Sequence, residues 1–264
     1  MKSEIIVFGR IIPVYGLLGI TGILFGMLYL FRQCRAKRLC FDDAVYIYVG
    51  ALIAAMIGAK LLYVVLRFPV LFQSFMSNAE HTLALLYDYI SGGFVFYGGL
   101  IGGVLGAIFS ARYFGLRLSD YYGGLVPVIP LIHIFGRAGC YLTGCCYGVQ
   151  TSGGLHVIYE TSRIAPNGIP LVPVQMIETV CNLLIFLLLH FLAKKQQLNR
   201  FLLDCYILCY APIRFILEFF RGDPERGSLW VFSTSQWISL LLMLCCAVHI
   251  YRLTRKIPSM CQKS

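Results

Sequence analysis

Seven apolar runs, separated by polar connections, set the pattern of this chain: roughly 11–31, 44–66, 94–111, 121–138, 174–193, 201–220 and 235–251. Each approaches the ~20 residues that carry an α-helix across ~30 Å of hydrocarbon. The pattern predicts an all-α polytopic membrane protein with about seven transmembrane helices. Residues 1–264 read as a single transmembrane domain without internal repeats. Two connections are long enough to hold structure of their own, 67–93 and 139–173. The first carries Asn78, Glu80, His81, Tyr87, Asp88 and Tyr89 before Ser91-Gly92-Gly93. The second runs through GCYLTGCCYG to an alternating LHVIYE stretch, which predicts a short strand, and then a turn at Ala165-Pro166-Asn167-Gly168. Together they predict a small cap.

Composition supports a membrane class. The chain is 59% hydrophobic and only 13% charged, outside the range of soluble domains. No small-residue cleavage site follows the first run, so that run is expected to remain in the mature protein. The net charge of +10 excludes nucleic acid once its distribution is considered. Of the 22 basic residues, 13 follow runs one, three, five and seven, among them Arg32, Lys37, Arg117, Lys195 and Arg252, while six lie on the opposite side. The positive-inside rule then puts the N-terminus outside and the C-terminus in the cytoplasm, with both long connections external.

Candidate chemistry lies within the spans. Arg214, Glu218 and Arg221 fall at spacings of four and three on the sixth run, which predicts one helical stripe. A charge inside the bilayer costs roughly 2.5–3.5 kcal/mol, so such groups line cavities or pair with one another. The stripe alone fits an interhelical staple or a site for an anionic headgroup. Depth separates the two. In the predicted topology Tyr15, Lys60, Tyr97, Arg137, Arg214, Glu218 and Arg221 all fall in the outer part of their spans, as expected of one shared cavity. Gly98-Gly99 and Gly102-Gly103 permit close backbone approach. Gly136 and Gly139 frame Arg137. Gln175, behind Pro173 at the start of the fifth run, is placed to hydrogen-bond into the cavity, and Glu178 shares its face. Eleven cysteines are mostly scattered through spans as small apolar packers. Cys140, Cys145 and Cys146 cluster; no fourth zinc ligand lies near them in sequence, and both a disulfide and simple packing remain open.

These pieces, in order, resemble the prolipoprotein diacylglyceryl transferases across nearly the whole chain. Val14-Tyr15-Gly16-Leu17 is similar to that family's Tyr-Gly-Leu, and Gly58-Ala59-Lys60-Leu61-Leu62-Tyr63 to its Gly-x-Arg-x-x-Tyr. Gly92 through Gly102 resembles the segment ending His-Gly-Gly-Leu-Ile-Gly. Gly136-Arg137-Ala138-Gly139-Cys140 through Gly148 resembles the family signature. Pro173-Val174-Gln175 through Glu178, and Arg214 through Arg221 followed by Asp223, match two further motifs. The family histidine falls on Tyr97, the signature asparagine on Cys140 and the signature glutamate on Cys145.

The resemblance implies a transferase of the bacterial cytoplasmic membrane that works at the outer leaflet. It would move the diacylglyceryl group of phosphatidylglycerol to the lipobox cysteine of lipoprotein precursors, with no cofactor and no metal. Implied catalytic residues are Arg214, Arg137, Tyr97 and Glu218. Implied phosphatidylglycerol-binding residues are Arg137, Arg214, Arg221, Tyr15, Lys60, Gly98, Gly99 and Gln175. With tyrosine at position 97, His133, four residues before Arg137, is an alternative base. Two other readings stay open: a paralogue that binds the same lipid but modifies another acceptor, and a lipid or anion transporter.

Overall fold

The computed structural model describes residues 4–7, 10–77, 93–223 and 228–261. Asn78, Glu80, His81, Tyr87, Asp88, Tyr89, Ser91 and Gly92 lie outside them. Among the described residues seven long helices follow one another: α1 (Val14–Lys37), α2 (Phe41–Ser77), α3 (Phe96–Tyr113), α4 (Leu118–Thr143), α5 (Val174–Leu192), α6 (Leu202–Glu218) and α7 (Thr234–Cys261). Five of them, α1, α2, α4, α5 and α7, are long and apolar enough to cross a membrane. The protein is therefore an all-α membrane protein.

Three antiparallel pairs of short strands interrupt this pattern: β1 (Glu4–Val7) with β2 (Arg10–Pro13), β3 (Val157–Ile158) with β4 (Pro170–Leu171), and β5 (Ser228–Leu229) with β6 (Phe232–Ser233). The first corrects the expected start of the opening span. Residues 11–13 belong to β2, and the helix begins at Val14. In the segment 67–93, helix α2 continues through Pro69 to Ser77, so the described part beyond the second run is helical.

The chain divides into two compact units, Cys40–Leu118 and the remainder. In the first, α2 and α3 meet along a glycine face. A Cβ on Gly102 would collide with the Ala54 carbonyl and lie 3.1 Å from Gly58 Cα, and one on Gly98 would meet the Gly58 carbonyl. Only residues lacking side chains allow this approach.

In the second unit α5 reverses the pattern of a soluble helix. Its buried stripe is Gln175, Glu178 and Asn182, continued by Ile185 and Leu189, while Val180, Leu184 and Phe191 are exposed. Polar groups inside and apolar groups outside fit a helix whose solvent is lipid. The connection from α4 to α5, one of the two segments expected to form a cap, folds around a small core of its own. Its core is Val157, Tyr159, Ala165 and Leu171, with Tyr141, Tyr147 and Ile169 packed around it. The cap is tied to the end of α4: Tyr159 Oη donates to the Tyr141 carbonyl (2.9 Å) and Ser162 Oγ to the Thr143 carbonyl (3.2 Å).

Candidate active site

Four helix ends of the larger unit supply a buried polar network. Arg137 lies six residues before the end of α4, about 9 Å along the axis; Glu178 is in the second turn of α5; Tyr210, Arg214 and Glu218 share the last turns of α6; Ser235 opens α7. Glu178, fully buried, is the hub. Its Oε1 receives Tyr210 Oη at 2.8 Å and the Arg137 guanidinium (Nη2) at 3.1 Å. Arg137 Nε also donates to His133 Nε2 at 3.1 Å. That bond engages the His133 Nε2 lone pair, and the same nitrogen lies 3.6 Å from Glu178 Oε1.

Arg214 forms the second ion pair. Its Nη2 lies 2.7 Å from Glu218 Oε2, one helical turn on, and 3.4 Å from Ser235 Oγ. Its Nη1 is buried and, among the described residues, has no hydrogen-bond partner. A buried guanidinium donor in that state carries a desolvation cost that an incoming oxyanion would relieve. Glu178 Oε2 is in the same condition, as an acceptor.

Arg221 departs from the expected stripe. Helix α6 ends at Glu218, and the chain beyond it runs as an extended bridge beside 147–149: Val149 N–H donates to the Phe220 carbonyl and Gly222 N–H to the Tyr147 carbonyl. Arg221 therefore turns to Asp223, which it holds through two 3.1 Å hydrogen bonds. Gly222 and Pro224 were the stop signals in the sequence. Arg221 pairs with Asp223, Arg214 with Glu218 and Arg137 with Glu178, whose charge also acts on Arg214.

The other expected residues divide between the units. Tyr15, in the first turn of α1, packs against Gly139, where a Cβ would come within 3.1 Å of its ring. Gln175, almost fully buried, donates to the Cys145 carbonyl at 2.8 Å and ties the turn after α4 to α5. Lys60, Tyr97, Gly98 and Gly99 belong to the smaller unit. There Lys60 Nζ lies over the rings of Tyr63 (5.0 Å) and Phe94 (5.4 Å), Tyr97 is buried at the start of α3, and Gly98 sits at the contact with α2. Sequence reasoning left out Tyr210 and Asn182. Helical spacing signalled both: Tyr210 lies four residues before Arg214, and Asn182 four after Glu178.

A helical membrane protein with arginines and carboxylates buried together at one set of helix ends is the class defined so far. The model of the prolipoprotein diacylglyceryl transferase family matches residues 5–252. A Clostridium perfringens protein named phosphatidylglycerol–prolipoprotein diacylglyceryl transferase 2 is 30% identical over 241 residues, covering 90% of each chain. The Clostridium tetani phosphatidylglycerol–prolipoprotein diacylglyceryl transferase is 31% identical over 237 residues, covering 90% of this chain and 91% of its own. One from Dehalococcoides mccartyi is 30% identical over 214 residues, 80% of this chain and 78% of its own. The chain belongs to the prolipoprotein diacylglyceryl transferase family.

Proposed function

We propose that this protein transfers the diacylglyceryl group of phosphatidylglycerol to the lipobox cysteine of a lipoprotein precursor, at the outer leaflet of a bacterial cytoplasmic membrane. In this reading all seven helices span the bilayer, with the N-terminus outside and the C-terminus in the cytoplasm. The observation that carries it is Arg214, a buried cation with one terminal nitrogen still free to receive an oxyanion among the described residues, set in a family whose named members act on phosphatidylglycerol and prolipoproteins.

The acceptor thiol gives up its proton, which leaves on the product phosphate, and its sulfur attacks the glyceryl carbon of the lipid. A C–S bond forms, the C–O bond to phosphate breaks, and glycerol 1-phosphate leaves with the bonding electrons. Charge grows on the departing phosphate, so fixed guanidinium donors stabilise the transition state more than the ground state. Arg214 supplies that donor through Nη1, with Glu218 and Ser235 fixing its other end. Arg137, held by Glu178 and His133, supplies the second cation. Arg221, Tyr15, Lys60, Gly98, Gly99 and Gln175 complete the lipid site in this proposal, and Tyr97 stands where the family places a histidine. The apolar surroundings exclude water that would compete for the lipid.

The test is complementation of a bacterial strain depleted of its own transferase, read by mass analysis of a lipoprotein N-terminus. The intact protein restores the diacylglyceryl mass increment. Arg214→Ala accumulates in the membrane and does not. Wild-type modification by Arg214→Ala overturns the assignment.

A further inference from the structure

The turn that leaves α4 holds a group the transfer chemistry does not use. The sulfurs of Cys140, Cys145 and Cys146 all lie within 4.8 Å of one another, and all three residues carry thiols rather than disulfides. Neighbouring residues in a helix or strand point their side chains apart. Here the sulfurs of Cys145 and Cys146 converge because the turn is left-handed at two positions, Gly144 (φ 75°) and Cys146 (φ 59°). The left-handed region costs a residue with a side chain about 1–2 kcal/mol. The turn is braced from outside: Gln175 holds the Cys145 carbonyl, and Thr143 Oγ1 lies 3.3 Å from Cys145 Sγ.

We propose that Cys140, Cys145 and Cys146 form a three-thiolate site for one soft closed-shell cation of the zinc(II) or copper(I) class. Zinc–sulfur bonds of about 2.3 Å place coordinating sulfurs about 4 Å apart, which small rotamer changes reach from the observed cluster. Soft thiolates select these metals over magnesium or calcium. Thr143 Oγ1 donates to the Gly139 carbonyl at 2.9 Å and lies 3.3 Å from Cys145 Sγ, close enough to turn its single proton to a ligating sulfur. Cys140 is buried while Cys145 and Cys146 are half-buried, so the fourth position opens on one side and takes a water or an exogenous thiol. Binding releases thiol protons to the medium and changes no oxidation state. The cation would lock the turn that ends α4, one helical turn beyond Arg137. The site stands on this geometry and does not depend on the transfer reaction.

The experiment uses the full chain, reduced and metal-free in detergent, titrated with Cd²⁺ alone. The expected result is one equivalent bound, with thiolate-to-cadmium charge-transfer absorption in the ultraviolet. A variant in which only Cys140, Cys145 and Cys146 are kept as cysteines retains the signal. In that background Cys140→Ser and Cys146→Ser each lower affinity at least tenfold, and Thr143→Val, which keeps all three sulfurs, weakens binding about tenfold. Thermal unfolding of each metal-free variant checks that it is folded. The proposal is overturned by the absence of a charge-transfer band in the folded three-cysteine variant. It is equally overturned by a cadmium affinity that Cys146→Ser leaves unchanged, or by a disulfide within the cluster that re-forms in preference to metal uptake.

Discussion

Glu178→Ala removes the acceptor that Arg137 and Tyr210 share. At 3.1 Å the Arg137–Glu178 attraction is about 5 kcal/mol at an effective dielectric constant of about 20. Once it is gone, the arginine stays buried beside His133 with its main counter-charge missing. Loss of one partner of a buried pair costs about 3–5 kcal/mol. At about 2–4 °C per kcal/mol for chains of this size, Tm should fall by about 6–20 °C. Glu178→Gln, which keeps an acceptor for Tyr210, should fall between Glu178→Ala and the intact protein. The decisive variant is the double one, Arg137→Met with Glu178→Ala. It removes both charges, so it should melt above Glu178→Ala although it carries more substitutions. The measurement is intrinsic tyrosine and tryptophan fluorescence on heating in detergent, with all variants at equal lipid content. If the two single losses simply add, within about 0.5 kcal/mol, the pair is not coupled and the argument for Glu178 as the hub fails.

Three further outcomes follow from the packing and the proposed site. Gly102→Ala drives a Cβ into the Ala54 carbonyl and should destabilise the α2–α3 pair by about 1–3 kcal/mol, seen as a lower Tm, whereas Gly19→Ala, with open space around it, should be neutral or slightly stabilising. Gln175→Leu breaks the 2.8 Å bond to the part-buried Cys145 carbonyl, a loss of about 0.5–1.5 kcal/mol; amide exchange in 145–148 should accelerate. Tyr97→Phe removes only a hydroxyl and should lower transfer at least tenfold while the melting curve keeps its shape; unchanged transfer would dismiss that hydroxyl as an acid or base.

Hydropathy located the helices well because lipid demands long apolar runs with internally satisfied backbones. All seven runs overlap helices, although α3, rich in glycine, and the 17-residue α6 fall short of the standard the other five meet. Ends were harder to place. Ile11-Ile12-Pro13 is as apolar as the helix it precedes, so hydropathy could not separate a strand from the first turn. At Arg221 a spacing argument overran a helix end, although Gly222 and Pro224 announced it. The arginines Arg137 and Arg214 were legible because buried charge is rare in a span. Their partners were less so: Glu178 resembled a polar helix entrance, and Tyr210 one aromatic among many in a chain with 17 tyrosines. Only the fold reveals that Gln175 serves the Cys145 turn, since that bond joins residues 30 positions apart.

The three arginine–carboxylate pairs also bear on turnover. Each arginine is already neutralised by an acid fixed close to it: Glu218 one helical turn from Arg214, Asp223 two residues from Arg221, Glu178 across the α4–α5 contact from Arg137. In the proposed site a visiting phosphate would share its arginine with a tethered rival whose effective concentration is millimolar or more. Headgroup affinity would thereby be held down. A lipid substrate would tolerate that handicap, because it is concentrated in the bilayer around the site. A water-soluble product phosphate would have no such reservoir, so the resident carboxylates would reclaim their arginines and expel it.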